Sequence, residues 1–186
     1  MAAHRAWHPH TGGAPVTVEE LVAPAPGAAR ALLDFLLQLD LCTRVELRGR
    51  PLHEPLRHLL TDPRALRLTA GTDSLWARIL DLPRLLEARL DAPERELTID
   101  VADPLGFAAG LHTVTARPDG STGCTSARRV PDLSLDVADL AAVLLGDTRP
   151  ADLLAAGRLR EHTTDSADLF ARALGHRAPP HCSTRF

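Results

Sequence analysis

Groups able to act as acids, bases, nucleophiles or metal ligands are spread thinly along these 186 residues. Asp132, Asp136 and Asp139 sit close enough in sequence to offer a hard cation oxygen ligands. Their spacing of four and three serves a turn and a helix cap better. His4, His8 and His10 are near neighbours too, but no second ligand cluster accompanies them, so no metal site is expected. His112, His162, His176 and His181 have no carboxylate or cysteine at ligand or triad spacing and read as isolated surface or satisfied histidines. Ser126 and Ser134 lack the strand–turn–helix context of a nucleophile elbow. Arg128-Arg129 has the charge to meet a phosphate but reads as a solvated strand end. Cys42, Cys124 and Cys182 are far apart, odd in number and form no CxxC, which argues against a disulfide framework and a structural zinc site. A reducing cytoplasm is the simplest setting for them.

Composition narrows the classes further. Apolar residues at 45% and charged residues at 24% are ordinary globular values. A formal net charge of −3 gives no attraction to nucleic acid or to an anionic membrane. No apolar run approaches the ~20 residues of a membrane span, and no charged start followed by an apolar run marks a signal peptide. All 21 cations are arginine, and tyrosine is absent, so no phenol can serve as an acid.

The elements that must position any site follow from periodicity. Residues 1–15, with Gly12-Gly13 and little apolar pattern, are expected to form a flexible tail. Val16–Leu21 alternates as a short strand. Ala28–Leu41 is the clearest helix, with Arg30, Asp34 and Gln38 as a narrow polar stripe, so it should be covered on more than one side. Cys42–Leu47 reads as a strand, Glu54–Leu60 as a short helix, and Ala65–Thr69 as another short strand. Leu75–Leu80 has the β-branched and aromatic content of a strand. Asp81 and Pro83 then start a helix whose Leu82, Leu85, Leu86 and Leu90 share a face. Glu96–Val101 alternates strictly, and Leu111–Ala116 and Thr122–Arg128 flank a Pro-Asp-Gly turn as a hairpin. Helices should follow at Asp136–Gly146, at Pro150–Ala156 started by Thr148, and at Ala167–Leu174, ended in turn by Gly146, Gly157 and Gly175. The sum is an α+β chain with a mostly antiparallel sheet and helices on one side.

Several ordered segments carry a resemblance to a known family. Leu75-Trp76-Ala77-Arg78-Ile79-Leu80-Asp81 resembles the Leu-Trp-Val-Arg-Leu-Leu-Asp segment that opens the C-terminal, sterol-carrier-protein-like domain of the Eis acetyltransferases, members of the Gcn5-related superfamily. Glu54-Pro55-Leu56 and Asp62-Pro63-Arg64 resemble pieces that close the second acetyltransferase lobe of that family. Pro131-Asp132-Leu133, Leu145-Gly146, Leu154-Ala155-Ala156-Gly157-Arg158 and the ending Pro180-His181-Cys182…Phe186 follow its pattern in order. On this resemblance residues 16–73 are the incomplete end of an acetyltransferase lobe, and residues 74–186 are the sterol-carrier-like domain.

The resemblance implies a chemistry and says where it is incomplete. Family members move an acetyl group from acetyl-CoA to amines, aminoglycosides and protein lysines among them. They hold the pyrophosphate with a Gly-rich loop and use a tyrosine acid, both in the N-terminal lobe. Gly106, Gly110, Gly120 and Gly123 do not match that loop, and there is no tyrosine, so this chain by itself is expected to bind no cofactor. Phe186 matches the terminal residue whose carboxylate the family brings into its active site as a base. A free α-carboxyl has a pKa of roughly 3.5 and needs an apolar, partly dry site to work near neutrality. The fold also implies an apolar groove, which Trp76, Phe107, Leu111, Val114 and Phe170 would line. A missing N-terminal lobe or a second copy is the expected partner, with a stand-alone module for a small apolar ligand, or a scaffold, as the alternatives.

Overall fold

Alternation along Ala14-Pro15-Val16-Thr17-Val18 builds the central strand of the first sheet. The structure is a computed structural model that describes residues 2–5 (by their backbone), 14–51, 53–71, 75–126, 128–146, 148–175 and 181–182. The chain divides into two compact units, residues 1–74 with 181–186, and residues 75–180.

In the first unit, β1 (Ala2–Arg5) pairs antiparallel with β2 (Ala14–Glu20), and β2 pairs parallel with β3 (Cys42–Leu47). Helix α1 (Pro26–Leu37) makes the crossover that a parallel pair requires. Val16, Val18, Leu21 and Leu36 form the core beneath it, with Leu32, Leu39, Val45 and Leu47 against them. The other side of α1 is not covered: Phe35 and Leu37 are exposed, as are Val22 and Leu41. Helix α2 (Leu56–Leu59) and a 3₁₀ turn at Pro63–Ala65 follow, the turn started by the Asp62 carboxylate accepting the Arg64 amide at 2.9 Å. Two expectations change here. The stretch expected as a flexible tail contains β1, and the strand expected at 65–69 is a largely exposed loop that pairs with no strand among the described residues.

The second unit carries the larger core. Helix α3 (Leu82–Arg89) starts where expected, with the Asp81 carboxylate accepting the Arg84 amide at 3.1 Å and Pro83 in the first turn. A five-stranded sheet follows: β4 (Leu97–Ala102), β5 (Gly110–Ala116), β6 (Thr122–Ser126), β7 (Leu133–Asp136) and β8 (Leu159–Glu161). Their order is β6-β5-β4-β7-β8, all pairings antiparallel except β4 with β7. Between β7 and β8 run α4 (Val137–Leu145) and α5 (Pro150–Ala155), and α6 (Ser166–Leu174) closes the unit. The inward residues Leu97, Ile99 and Val101 meet Leu82 and Leu86 of α3, Leu140 and Leu144 of α4, and Leu169 and Phe170 of α6 in one buried cluster. The sheet is mostly antiparallel and its helices pack on the face that carries these residues.

Three local readings are corrected. Leu75–Leu80 is an extended loop, since strand-forming side chains make a strand only where a second backbone pairs with them, and the sheet ends at β6 and β8. Strand β7 occupies the segment expected to lead into the helix at Asp136, and β8 lies between the two last expected helices, where no element is expected. Helix α5 begins at Arg149-Pro150 with no side-chain cap from Thr148.

Candidate functional site

The loop 75–80 and the turn after β4 meet at Asp103. Its carboxylate accepts the Ala108 amide at 2.9 Å, the Arg78 guanidinium at 2.5 Å and the Leu105 amide at 3.0 Å. The Ala108 amide first, with the Arg78 guanidinium beside it, holds this carboxyl below the usual carboxylate range. The same guanidinium stacks 5.6 Å over the Phe107 ring. Arg78 thereby ties both loops together, while Ile79 and Ala108 anchor them in the core. What the loops hold outward is apolar. Trp76 is 84% exposed and Phe107 58%, with Leu75, Leu80 and Leu105 exposed beside them in sequence. These loops present an aromatic ledge that can stack on or wall off a ligand. Asp103 and Arg78 are committed to each other, so the ledge brings no free acid or base.

The five expected groove residues are not all available to a ligand. Trp76 and Phe107 lie on the ledge. Val114 and Phe170 are 0% exposed, because both side chains belong to the buried cluster of this unit. Leu111 is half-buried and, three residues from Val114 in the same strand, projects from the opposite face. Phe186 and His176 lie outside the described residues.

The carboxylate trio separates into three tasks. Asp136 caps α4 by accepting the Ala138 amide at 2.8 Å. Asp139 is buried and pairs with Arg158 at 2.7 Å. Asp132 is buried, accepts the Thr98 amide at 2.8 Å, and faces Arg95 and Arg129, each at 3.7 Å. No group of three metal-ligating side chains occurs among the described residues. Sequence spacing suggested the cap; the other two tasks depend on residues 34 and 19 positions away.

Two buried groups behave differently from a surface reading. His112 is 7% exposed, opposite Ile99 on β4, and neither ring nitrogen has a hydrogen-bond partner among the described residues. It is isolated as expected but not satisfied. Each such buried group costs about 1–3 kcal/mol, so His112→Leu should raise stability by about 1–2 kcal/mol. Urea denaturation checks this, and a loss of stability would show that the ring has a partner in solution. Cys124 is half-buried, and burial first, the Glu87 carboxylate second, pushes its thiol up to about 11. At pH 8 about one molecule in 1,000 then carries the thiolate, against roughly a quarter for an ordinary cysteine. Iodoacetamide should therefore modify Cys124 about 100-fold more slowly than a free thiol, with the rate rising tenfold per pH unit. Mass spectrometry of the labelled chain reads this directly.

Comparison with known proteins gives these features a setting. The sterol carrier protein domain family matches residues 82–183, and the acetyltransferase (GNAT) domain family matches residues 1–85. The chain belongs to the sterol carrier protein domain family. Its homologues are Eis-like N-acetyltransferases. An uncharacterized N-acetyltransferase of Streptomyces avermitilis is 40% identical over 169 residues, covering 91% of this chain and 40% of that protein. N-acetyltransferase Eis of Mycobacterium tuberculosis is 36% identical over 152 residues, covering 80% of this chain and 36% of that protein. The crystal structure of Eis1 from Mycobacterium abscessus superimposes with a TM-score of 0.80 at 31% identity, covering 95% of this chain and 44% of that one. The chain thus spans about two fifths of the length of the curated relatives it matches.

Acetyl-CoA is the acetyl donor that a GNAT relationship implies, and its pyrophosphate needs free amides at a helix start. At five of the six described α-helices a first-turn amide is missing or already bonded. Carboxylates of Asp81, Asp136 and Glu161 already occupy the first amides of α3, α4 and α6. Helices α1 and α5 open on proline, which has no amide, and the Ala28 and Ala29 amides of α1 are bonded to the Ala25 carbonyl. Among the described residues no helix is long and apolar enough to cross a membrane.

Proposed function

We propose that this chain is the C-terminal part of an Eis-like, acetyl-CoA-dependent N-acetyltransferase that acts on amines, an aminoglycoside or a protein lysine, and is inactive without the acetyl-CoA-binding lobe. The observation that carries this reading is a mismatch. The relatives are named N-acetyltransferases and are more than twice as long, while five of the six described α-helices lack or have already bonded a first-turn amide that a pyrophosphate would use. The donor then binds on the lobe that this chain does not contain. Within the assembled enzyme this chain supplies the aromatic ledge at Trp76 and Phe107 as a wall and the terminal carboxylate of Phe186 as the base. The apolar residues Val22, Phe35, Leu37 and Leu41 are left for that lobe to cover.

The test compares the chain alone with the chain fused behind the N-terminal part of the Streptomyces avermitilis relative. Alone, it should show neither tight acetyl-CoA binding by calorimetry nor release of coenzyme A with an aminoglycoside or a lysine peptide. The fusion should do both. Robust turnover by the purified chain alone would overturn the reading.

A further inference from the structure

The five-stranded sheet has a second face, opposite the one that packs on the helices. There Asp100 of β4 is paired in register with Ser134 of β7, and Ser134 with Arg160 of β8. The three side chains therefore form a row across neighbouring strands. At about 4.8 Å per strand, the Asp100 and Arg160 backbones stand about 10 Å apart. They line a concavity of about 250 Å³ whose rim includes Gly157 and Arg158.

The charges on this row are unspent. Arg158 is committed to Asp139. Asp100 and Arg160, by contrast, have no side-chain hydrogen bond or ion pair among the described residues, and none with each other. Between them the Ser134 hydroxyl lies 2.9 Å from Nε2 of His162. His162 is two residues beyond Arg160, so the alternation of the strand brings it to the same face, and its amide is fixed to the Asp132 carbonyl at 2.8 Å. One end of the concavity thus offers an anion, the other a planar cation whose fork matches a carboxylate, and the middle offers the Ser134 hydroxyl, which His162 holds. A ligand with a single charge satisfies one end and leaves the other opposed or empty. A cavity of this size is below the range that holds drug-sized ligands, which sets an upper bound on the molecule.

We propose that this concavity binds a small zwitterion, with its ammonium at Asp100 and its carboxylate at Arg160. The site lies wholly within residues 75–180 and does not depend on acetyl transfer, so it stands or falls separately from the function proposed above. The probes are a homologous series, glycine, 4-aminobutyrate and 6-aminohexanoate, titrated into the full chain by calorimetry, with butylamine and butyrate as singly charged controls. At least one of the series should bind saturably and at least about tenfold tighter than either control. Arg160→Gln should remove the preference over butylamine, and Asp100→Asn the preference over butyrate. Arg160→Lys keeps the charge but loses the fork and should fall between, provided that circular dichroism shows each variant folded. Equal affinity for the controls, binding unchanged in both variants, or no saturable binding by any of the series would overturn the proposal.

Discussion

Replacing Asp132 with alanine should remove about 2–4 kcal/mol from the stability of residues 75–180. The carboxylate is buried and accepts the amide of Thr98, which is itself fully buried on β4. Alanine leaves that amide with no acceptor in a place water reaches poorly. The two arginines contribute less, because Arg95 and Arg129 are each nearly half exposed and 3.7 Å away. The backbone of the same residue is equally engaged. Its amide donates to the Thr98 carbonyl, and its carbonyl accepts from His162, Thr163 and the Ser166 hydroxyl. Those bonds survive substitution, so the loss reports the side chain alone. Asp132→Asn retains an acceptor oxygen and should cost about half as much. Thermal melting reads both, and for a unit of this size the alanine variant should fall by about 10 °C or more. A melting temperature unchanged by alanine would mean that Thr98 finds another partner.

The second large effect belongs to the assembled enzyme. Adding one residue after Phe186 should cut its turnover by about 100-fold or more, the scale of a lost general base. The extension moves the terminal charge by about 3.5 Å, farther than a hydrogen bond tolerates. Phe186→Leu leaves the carboxylate where it was and removes only ring packing, so its cost should be mild. Under this proposal Pro179 and Pro180 would lower the entropy lost on docking of the terminus. The fusion described above is the vehicle, with coenzyme A release as the readout. Full activity in the extended form would place the base elsewhere.

What could be read from sequence was what is decided locally. Asp81 with Pro83, and Asp136 with the apolar run after it, announced α3 and α4 because a cap and its amides lie within three residues. The hairpin of β5 and β6 was legible for the same reason. Leu133–Asp136 and Leu159–Glu161 were not read as strands, because four and three residues carry almost no periodicity and their partners are far away in sequence. The reverse error at Leu75–Leu80 has the same origin: strand propensity was present and a partner was not. The ledge was half legible. Trp76 and Phe107 stood out as aromatics, but the Arg78–Asp103 tie spans 25 positions and nothing in either segment announces it. The row of Asp100, Ser134 and Arg160 was invisible, since only strand register brings the three together.

The parallel pairing of β4 with β7 has a kinetic meaning. Strands β4, β5 and β6 are joined by short turns, and closures of that kind take microseconds. The β4–β7 pairing instead joins residues 34 positions apart, and loop-closure entropy must be met before such a contact is rewarded. On that ground the β4–β7 pairing is expected to form after the β4–β6 meander, as the step that brings in β7, β8 and the helices between and after them. Asp132 lies at its head, where the first rung forms. If that rung is made in the transition state, the alanine variant will lose stability through slower folding more than through faster unfolding, which stopped-flow kinetics separates.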